Sequence, residues 1–189
     1  SAHAEQAASI ASRLAEPLQR SHFALVLHAQ GLCLHPMRAL ELKVPPPIVA
    51  GLIAAAMWVT SRLGAPMDVS DFVRRAGAAT LAVAGGCIAV AGFVSFRRAR
   101  TTVDPQRPET ASSLVTGGIY RFTRNPMYLG LLLVLLAWAV FLASPWALVG
   151  PVAFLLYVSR FQVAPEERAL TTLFGATYSE YTARTRRWL

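Results

Sequence analysis

From Met127 to Ser159 the chain runs for 33 residues without a charged side chain. As a single helix that stretch would extend about 50 Å, against a hydrocarbon core of about 30 Å. It is too long for one crossing and too apolar for the surface of a soluble domain. The sequence "ASPW" at 143–146 falls near its middle and can turn the chain. A tight hairpin of two spans, about 126–143 and 145–161, is the simplest expectation. Trp138 and Trp146 would then lie near one interface, where amphipathic rings settle.

The rest of the chain agrees with a membrane setting. Of its 189 residues, 54% are hydrophobic and only 15% charged, whereas soluble domains carry about 25% charged residues. The net charge of +8 does not point to nucleic acid, because the basic residues sit in short clusters flanking apolar runs and form no single stripe. Pro45, Pro46 and Pro47 make a stiff entry to an uncharged run, giving a first span over about 44–63 that ends at Gly64 and Pro66. After the turn-like "GAPMDVSDF", Ser70 or Asp71 can cap a second span over about 74–96. Its many glycines and alanines suit close helix packing in lipid. The expected fold is all-α: an integral membrane helical bundle of about four spans, with a C-terminal helical hairpin and an amphipathic cytoplasmic tail helix.

Residues 1–43 read as an N-terminal extension, dispensable up to 36. Residues 44–163 read as the membrane core, including a cytoplasmic loop at 97–125, and 164–189 as the tail that completes a pocket. The extension carries all four histidines and Cys33, and Cys87 lies in the second span. Neither the histidine nor the cysteine spacing matches a metal or disulfide pattern, so no metal is expected. The loop "RRARTTVDPQRPETASSLVTGGIYRFTR" holds six arginines and two acids, with turn signals at Asp104-Pro105 and Gly117-Gly118. Five more arginines follow from Arg160 onward. Positive charge stays in the cytoplasm, which puts this loop, the tail and both termini on the inner face of a bacterial inner membrane. Arg62, Arg74 and Arg75 fall on the outer side and run against that assignment.

The loop and the tail are the lead-in and the exit of one hairpin, so they are neighbours in space. The chemistry belongs there. In "YRFTRNPMYLG", Asn125 can cap a helix and Pro126 fits its first turn. Free N–H groups at a helix start, with Arg121 and Arg124 beside them, attract an anion, although such a turn is equally an ordinary cap with ordinary interfacial arginines. Glu166 and Glu167 follow Pro165 at another helix start. They complement the helix dipole, or one of them accepts hydrogen bonds from a ribose diol. Tyr120 and Tyr128 are interfacial aromatics, or they face a cationic ligand.

Together, "LVTGGIYRFTRNPMYLG", the apolar hairpin, "PEERALTTLFGATYSEY" and the basic "RRWL" end resemble the isoprenylcysteine carboxyl methyltransferase-like family of integral membrane methyltransferases. The resemblance covers about residues 97–189 and implies S-adenosyl-L-methionine as cofactor, held on the cytosolic side. It implies cofactor contacts from Ser112, Ser113, Leu114, Val115, Tyr120, Asn125, Pro126, Met127, Tyr128 and Glu166. Asn125 stands where the family has histidine, so no titrating base sits at that position. Gln162 stands where prenylcysteine enzymes have an arginine that reads the substrate carboxylate, with Arg160 nearby; these two are the candidate acceptor-binding residues. No catalytic acid or base is assigned, because methyl transfer from a sulfonium needs mainly positioning and water exclusion. The implied acceptor is lipidic or small: a prenylcysteine-type carboxylate, a phospholipid amine or a thiol. An NADPH-dependent membrane reductase and a non-catalytic membrane scaffold stand as alternatives.

Overall fold

The structure, a computed structural model, describes residues 41–99 and 113–189. The expectations for residues 1–40, and for Ser112, lie outside the described residues. Helix α1 spans Pro46–Ser61 and α2 spans Asp71–Arg98. A short 3-10 turn at Gly118–Arg121 precedes α3, Pro126–Leu142. A second 3-10 turn, Pro145–Leu148, leads into α4, Val149–Val158. A π turn at Ser159–Val163 joins α4 to α5, Ala164–Arg184. Among the described residues no strand forms. The α2 helix and the continuous rod Pro145–Arg184 are long and apolar enough to cross a membrane; α1 and α3 are shorter apolar helices.

The distribution of side-chain size shows which solvent α2 is built for. Its large residues point outward, with Val83 66% and Val90 60% exposed, while Ala78, Gly85 and Gly92 form the buried stripe. Small residues inside and large apolar ones outside are the pattern of helix packing in lipid, where close backbone approach replaces the hydrophobic driving force. The approach is closest between α2 and α3. A methyl group on Gly130 would sit 2.6 Å from the Gly85 carbonyl oxygen, and one on Gly85 would sit 2.7 Å from the Gly130 carbonyl oxygen.

Ser70 caps α2, its side chain accepting the Val73 N–H, and Asp71 occupies the first turn. The hairpin turns where expected. Leu142 ends α3, Ala143 takes the left-handed conformation that commonly closes a helix, and Ser144 is extended. The Ala143 carbonyl accepts the Met67 N–H at 2.7 Å, so the α1–α2 connector is tied to the hairpin turn. Trp138 lies between helices, stacked on Phe141, and donates its indole N–H to the Ala54 carbonyl of α1 at 3.0 Å. Trp146 is 62% exposed.

One boundary differs in kind from the sequence expectation. The tail is no separate helix, because α4 runs through the π turn into α5. Pro165 lacks an N–H and its ring crowds the carbonyl four residues back, at Phe161. That carbonyl turns outward and accepts the Leu42 N–H at 3.0 Å. The helix therefore absorbs the proline by widening for one turn, and residues 41–44, of which 41–43 belong to the extension by sequence, form a strap across the widened turn. Further along, Gly175 (φ 49°, ψ −121°) bends α5, a conformation open essentially to glycine alone.

Candidate functional site

The end of the bundle opposite the hairpin turn gathers the polar segments, and direct bonds join them. Thr123 and Arg186 pair as an isolated parallel bridge, and the Arg124 N–H donates to the Arg186 carbonyl at 3.0 Å. The Arg187 carbonyl accepts from Asn125 Nδ2 at 2.9 Å and from Thr123 Oγ1 at 3.3 Å. Tyr181, beyond the Gly175 bend, donates its hydroxyl to the Tyr120 carbonyl at 2.7 Å. Glu167 bridges the two segments, taking Arg124 at 3.2 Å and the Arg187 guanidinium at 3.1 Å and 2.5 Å. The loop before α3 and the end of the chain thus form one closed surface.

Beneath this surface lies a part-buried polar pair. Tyr128, in the first turn of α3, donates its hydroxyl to Glu166 on α5. Glu166 lies past the apolar half of its rod. Burial pushes its carboxyl up to about 8; the hydrogen bond from Tyr128 works against that shift, and the Glu167 charge adds to it. Tyr120 is buried, with its ring edge-on to Phe96 at 5.3 Å. Burial, then Tyr181 and the Glu166 charge, push the Tyr120 phenol upward. Gly118 holds the preceding turn at φ 62°, against Ser95 of α2.

Of the residues singled out in the sequence, Tyr120, Asn125, Pro126, Met127, Tyr128 and Glu166 fall at this one end, on the short turn, the α3 N-terminus and the α5 start. Ser113, Leu114 and Val115 form the extended lead into the turn, with Val115 buried and Ser113 Oγ donating to the Ala99 carbonyl at 3.3 Å. Asn125 departs from expectation. Its side chain makes no cap bond and reaches to the tail instead, so among the described residues no side chain caps the first turn of α3. Arg124 Nε is buried and has no partner among the described residues. Arg160 and Gln162 face the strap: Arg160 pairs with Glu41 at 2.7 Å, and the fully buried Gln162 donates Nε2 to the Val44 carbonyl at 2.8 Å.

Three contributors escaped the sequence reading. In the sequence Glu167 reads as a complement to the helix dipole or as one of two candidate diol acceptors, and nothing local reveals that Arg124 and Arg187 converge on it. Tyr181 showed only as one apolar position of an amphipathic helix. Glu41, which also pairs with Arg168, lies about 120 residues from its partners and gave no signal.

An all-helical membrane protein with a site assembled from a loop, a helix start and a folded-back tail is the class that fold and geometry define. The chain belongs to the phospholipid methyltransferase family, whose model matches residues 73–177. Protein-S-isoprenylcysteine O-methyltransferase B of Arabidopsis thaliana is 31% identical over 108 residues, 56% of this chain and 53% of its own length. Protein-S-isoprenylcysteine O-methyltransferase A of the same plant is 34% identical over 102 residues, 52% of this chain and 50% of its own length. An uncharacterised protein of Haemophilus influenzae is 46% identical over 63 residues, 33% of this chain and its whole length. The chain spans about half the length of the two plant relatives. No solved structure matches. The resemblance read from the tyrosine, Asn-Pro and Glu-Glu segments is borne out at the level of the family.

Proposed function

We propose that this protein is an S-adenosyl-L-methionine-dependent methyltransferase acting on a lipidic acceptor, with its cofactor site at the loop–tail end of the bundle. The observation that carries the reading is the Tyr128–Glu166 pair, which places a buried carboxyl directly beneath the α3 N-terminus. The residues fit the cofactor. Glu166 offers acceptors to a ribose diol. The uncapped first turn of α3 and the unpartnered Arg124 Nε offer donors to a carboxylate. The Tyr120 and Tyr128 rings supply aromatic faces for a cation. When bound, the cofactor supplies an electrophilic methyl group on a sulfonium. The protein's own part is to hold, align and dry the site. The Glu167 clamp and the Tyr181–Tyr120 bond keep the tail closed over the loop, which excludes water. Asn125 cannot titrate and is engaged with Arg187, so alignment rather than proton transfer supplies the acceleration.

In this reading α1 to α4 make four crossings, the loop and tail face the cytoplasm of a bacterial inner membrane, and residues 1–36 are dispensable. The acceptor enters from lipid. Prenylcysteine-type carboxyl O-methylation is one acceptor reading. A phospholipid amine is favoured by one contact, because Arg160 is held at 2.7 Å by Glu41 of the strap, an acid it shares with Arg168. Parallel assays with an S-prenylated cysteine and a phosphatidylethanolamine separate the two.

The deciding test is calorimetry of S-adenosylhomocysteine binding to detergent-solubilised protein. Micromolar binding is expected, weakened at least about tenfold in Glu166→Ala, the loss of roughly two hydrogen bonds to a buried charged group. A folded wild-type sample that takes no ligand ends the methyltransferase reading. The affinity should also depend on pH. A diol donates to the carboxylate, so binding expels the proton that Glu166 holds below about 8. Affinity therefore rises from pH 6 toward 8.5 and then levels, while Glu166→Gln gives a flat profile. Without ligand the sign is reversed: the native carboxyl titrates above its unfolded value of 4.5, so the stability it confers is complete below 4.5 and lost as pH climbs through 8.

A further inference from the structure

At the other end of the bundle, α1 and α2 part over α3 and leave a groove of about 580 Å³. Small residues form its walls, Gly51 and Ala54 on α1 and Ala79 and Ala82 on α2, and Leu131 and Trp138 form its floor. It runs along α3 from Leu131 to Phe141, ten residues or about 15 Å. That is half the hydrocarbon core, the depth of one leaflet. Arg75 stands at its mouth.

The mouth is positively charged. Arg74 and Arg75 share a single acid, Asp71, at 2.6 Å and 3.3 Å. Arg74 also donates to the Phe141 carbonyl at 3.3 Å, and its buried Nε has no partner among the described residues. The Arg75 side chain remains 69% exposed. Arg62 lies at the same end of the molecule, its guanidinium 4.9 Å from the Trp58 ring centroid. Three arginines thus face two acids, Asp68 and Asp71, on this connector.

We propose that this groove holds one acyl chain of an anionic phospholipid whose phosphate rests on Arg75, with Arg74 behind it. The site is separate from the loop–tail pocket and fits a lipid from the opposite leaflet. A trench one leaflet deep admits a chain, and a net cation at its rim selects the headgroup's charge. The arginines that oppose the positive-inside pattern thereby acquire a partner of their own.

The test uses the full chain in detergent, titrated with dioleoyl phosphatidylglycerol or dioleoyl phosphatidylcholine, followed by thermal unfolding and native mass spectrometry. Wild type is expected to retain phosphatidylglycerol preferentially and to unfold at a higher temperature with it. Arg75→Gln should reduce that preference about fivefold, the effect of one surface cation facing an anionic lipid. Ala82→Leu, at an exposed position in the trench, should abolish retention of both lipids. Affinity for S-adenosylhomocysteine should be the same in both variants, which separates this proposal from the reading of the methyl-transfer site. Equal retention of the two lipids by wild type, an undiminished preference in Arg75→Gln, or a dimer that Ala82→Leu dissociates would each overturn it.

Discussion

Gly130→Leu is expected to leave little folded protein in detergent. Its first side-chain carbon would lie 2.6 Å from the Gly85 carbonyl oxygen and 2.7 Å from the Ala89 side chain. Both obstacles are rigid, one of them backbone, so α2 and α3 must separate along their whole contact. Overpacking a core typically costs about 1–3 kcal/mol, and moving two helices apart places the cost at or above the top of that range. Gly86→Leu, one residue from Gly85, provides the control, since nothing lies within 4 Å of a side chain there. Monodisperse elution and thermal unfolding in detergent check the pair. If both leucine variants unfold alike, the helix crossing is not where the structure puts it.

The second large effect concerns Glu167. Glu167→Ala leaves Arg124, only 16% exposed at its side chain, without its acid, and frees Arg187 from the tail contact. Removing one partner from a buried pair costs about 3–5 kcal/mol. The Arg187 arm is 45% exposed and contributes far less, so a loss of about 2–3 kcal/mol is expected. The loss should be local to the tail. Proteolysis beyond Gly175 should accelerate while the apolar helices stay protected, and S-adenosylhomocysteine affinity should fall together with tail protection. Accelerated cleavage with unchanged affinity would separate the clamp from the proposed cofactor site.

The parts legible in the sequence were those set by local rules. A charge-free run longer than a bilayer dictates a hairpin, and "ASPW" marks its turn. Ser70 before a helix caps it. Gly117-Gly118 marks a turn, and Gly118 takes a positive φ there. The family also showed, because its residues cluster in two short segments. What stayed hidden depends on distance through space. The strap from Glu41 to Val44, the convergence of two arginines on Glu167 and the diversion of Asn125 from cap to tail join residues 20 to 127 positions apart. The widened turn before Pro165 was hidden for another reason. A proline inside a helical pattern signals an end or a kink, and only the Leu42 N–H, supplied from the far end of the chain, lets the helix continue.

That continuity has a mechanical consequence. From Pro145 to the bend at Gly175 no loop interrupts the rod, so nothing slack lies between its greasy half and the stretch bearing Glu166 and Glu167. In the reading proposed above, in which the apolar half of this rod crosses the bilayer, a membrane that thins or thickens changes its tilt and swings Glu166 and Glu167 with it, as the long arm of a lever swings with the short one.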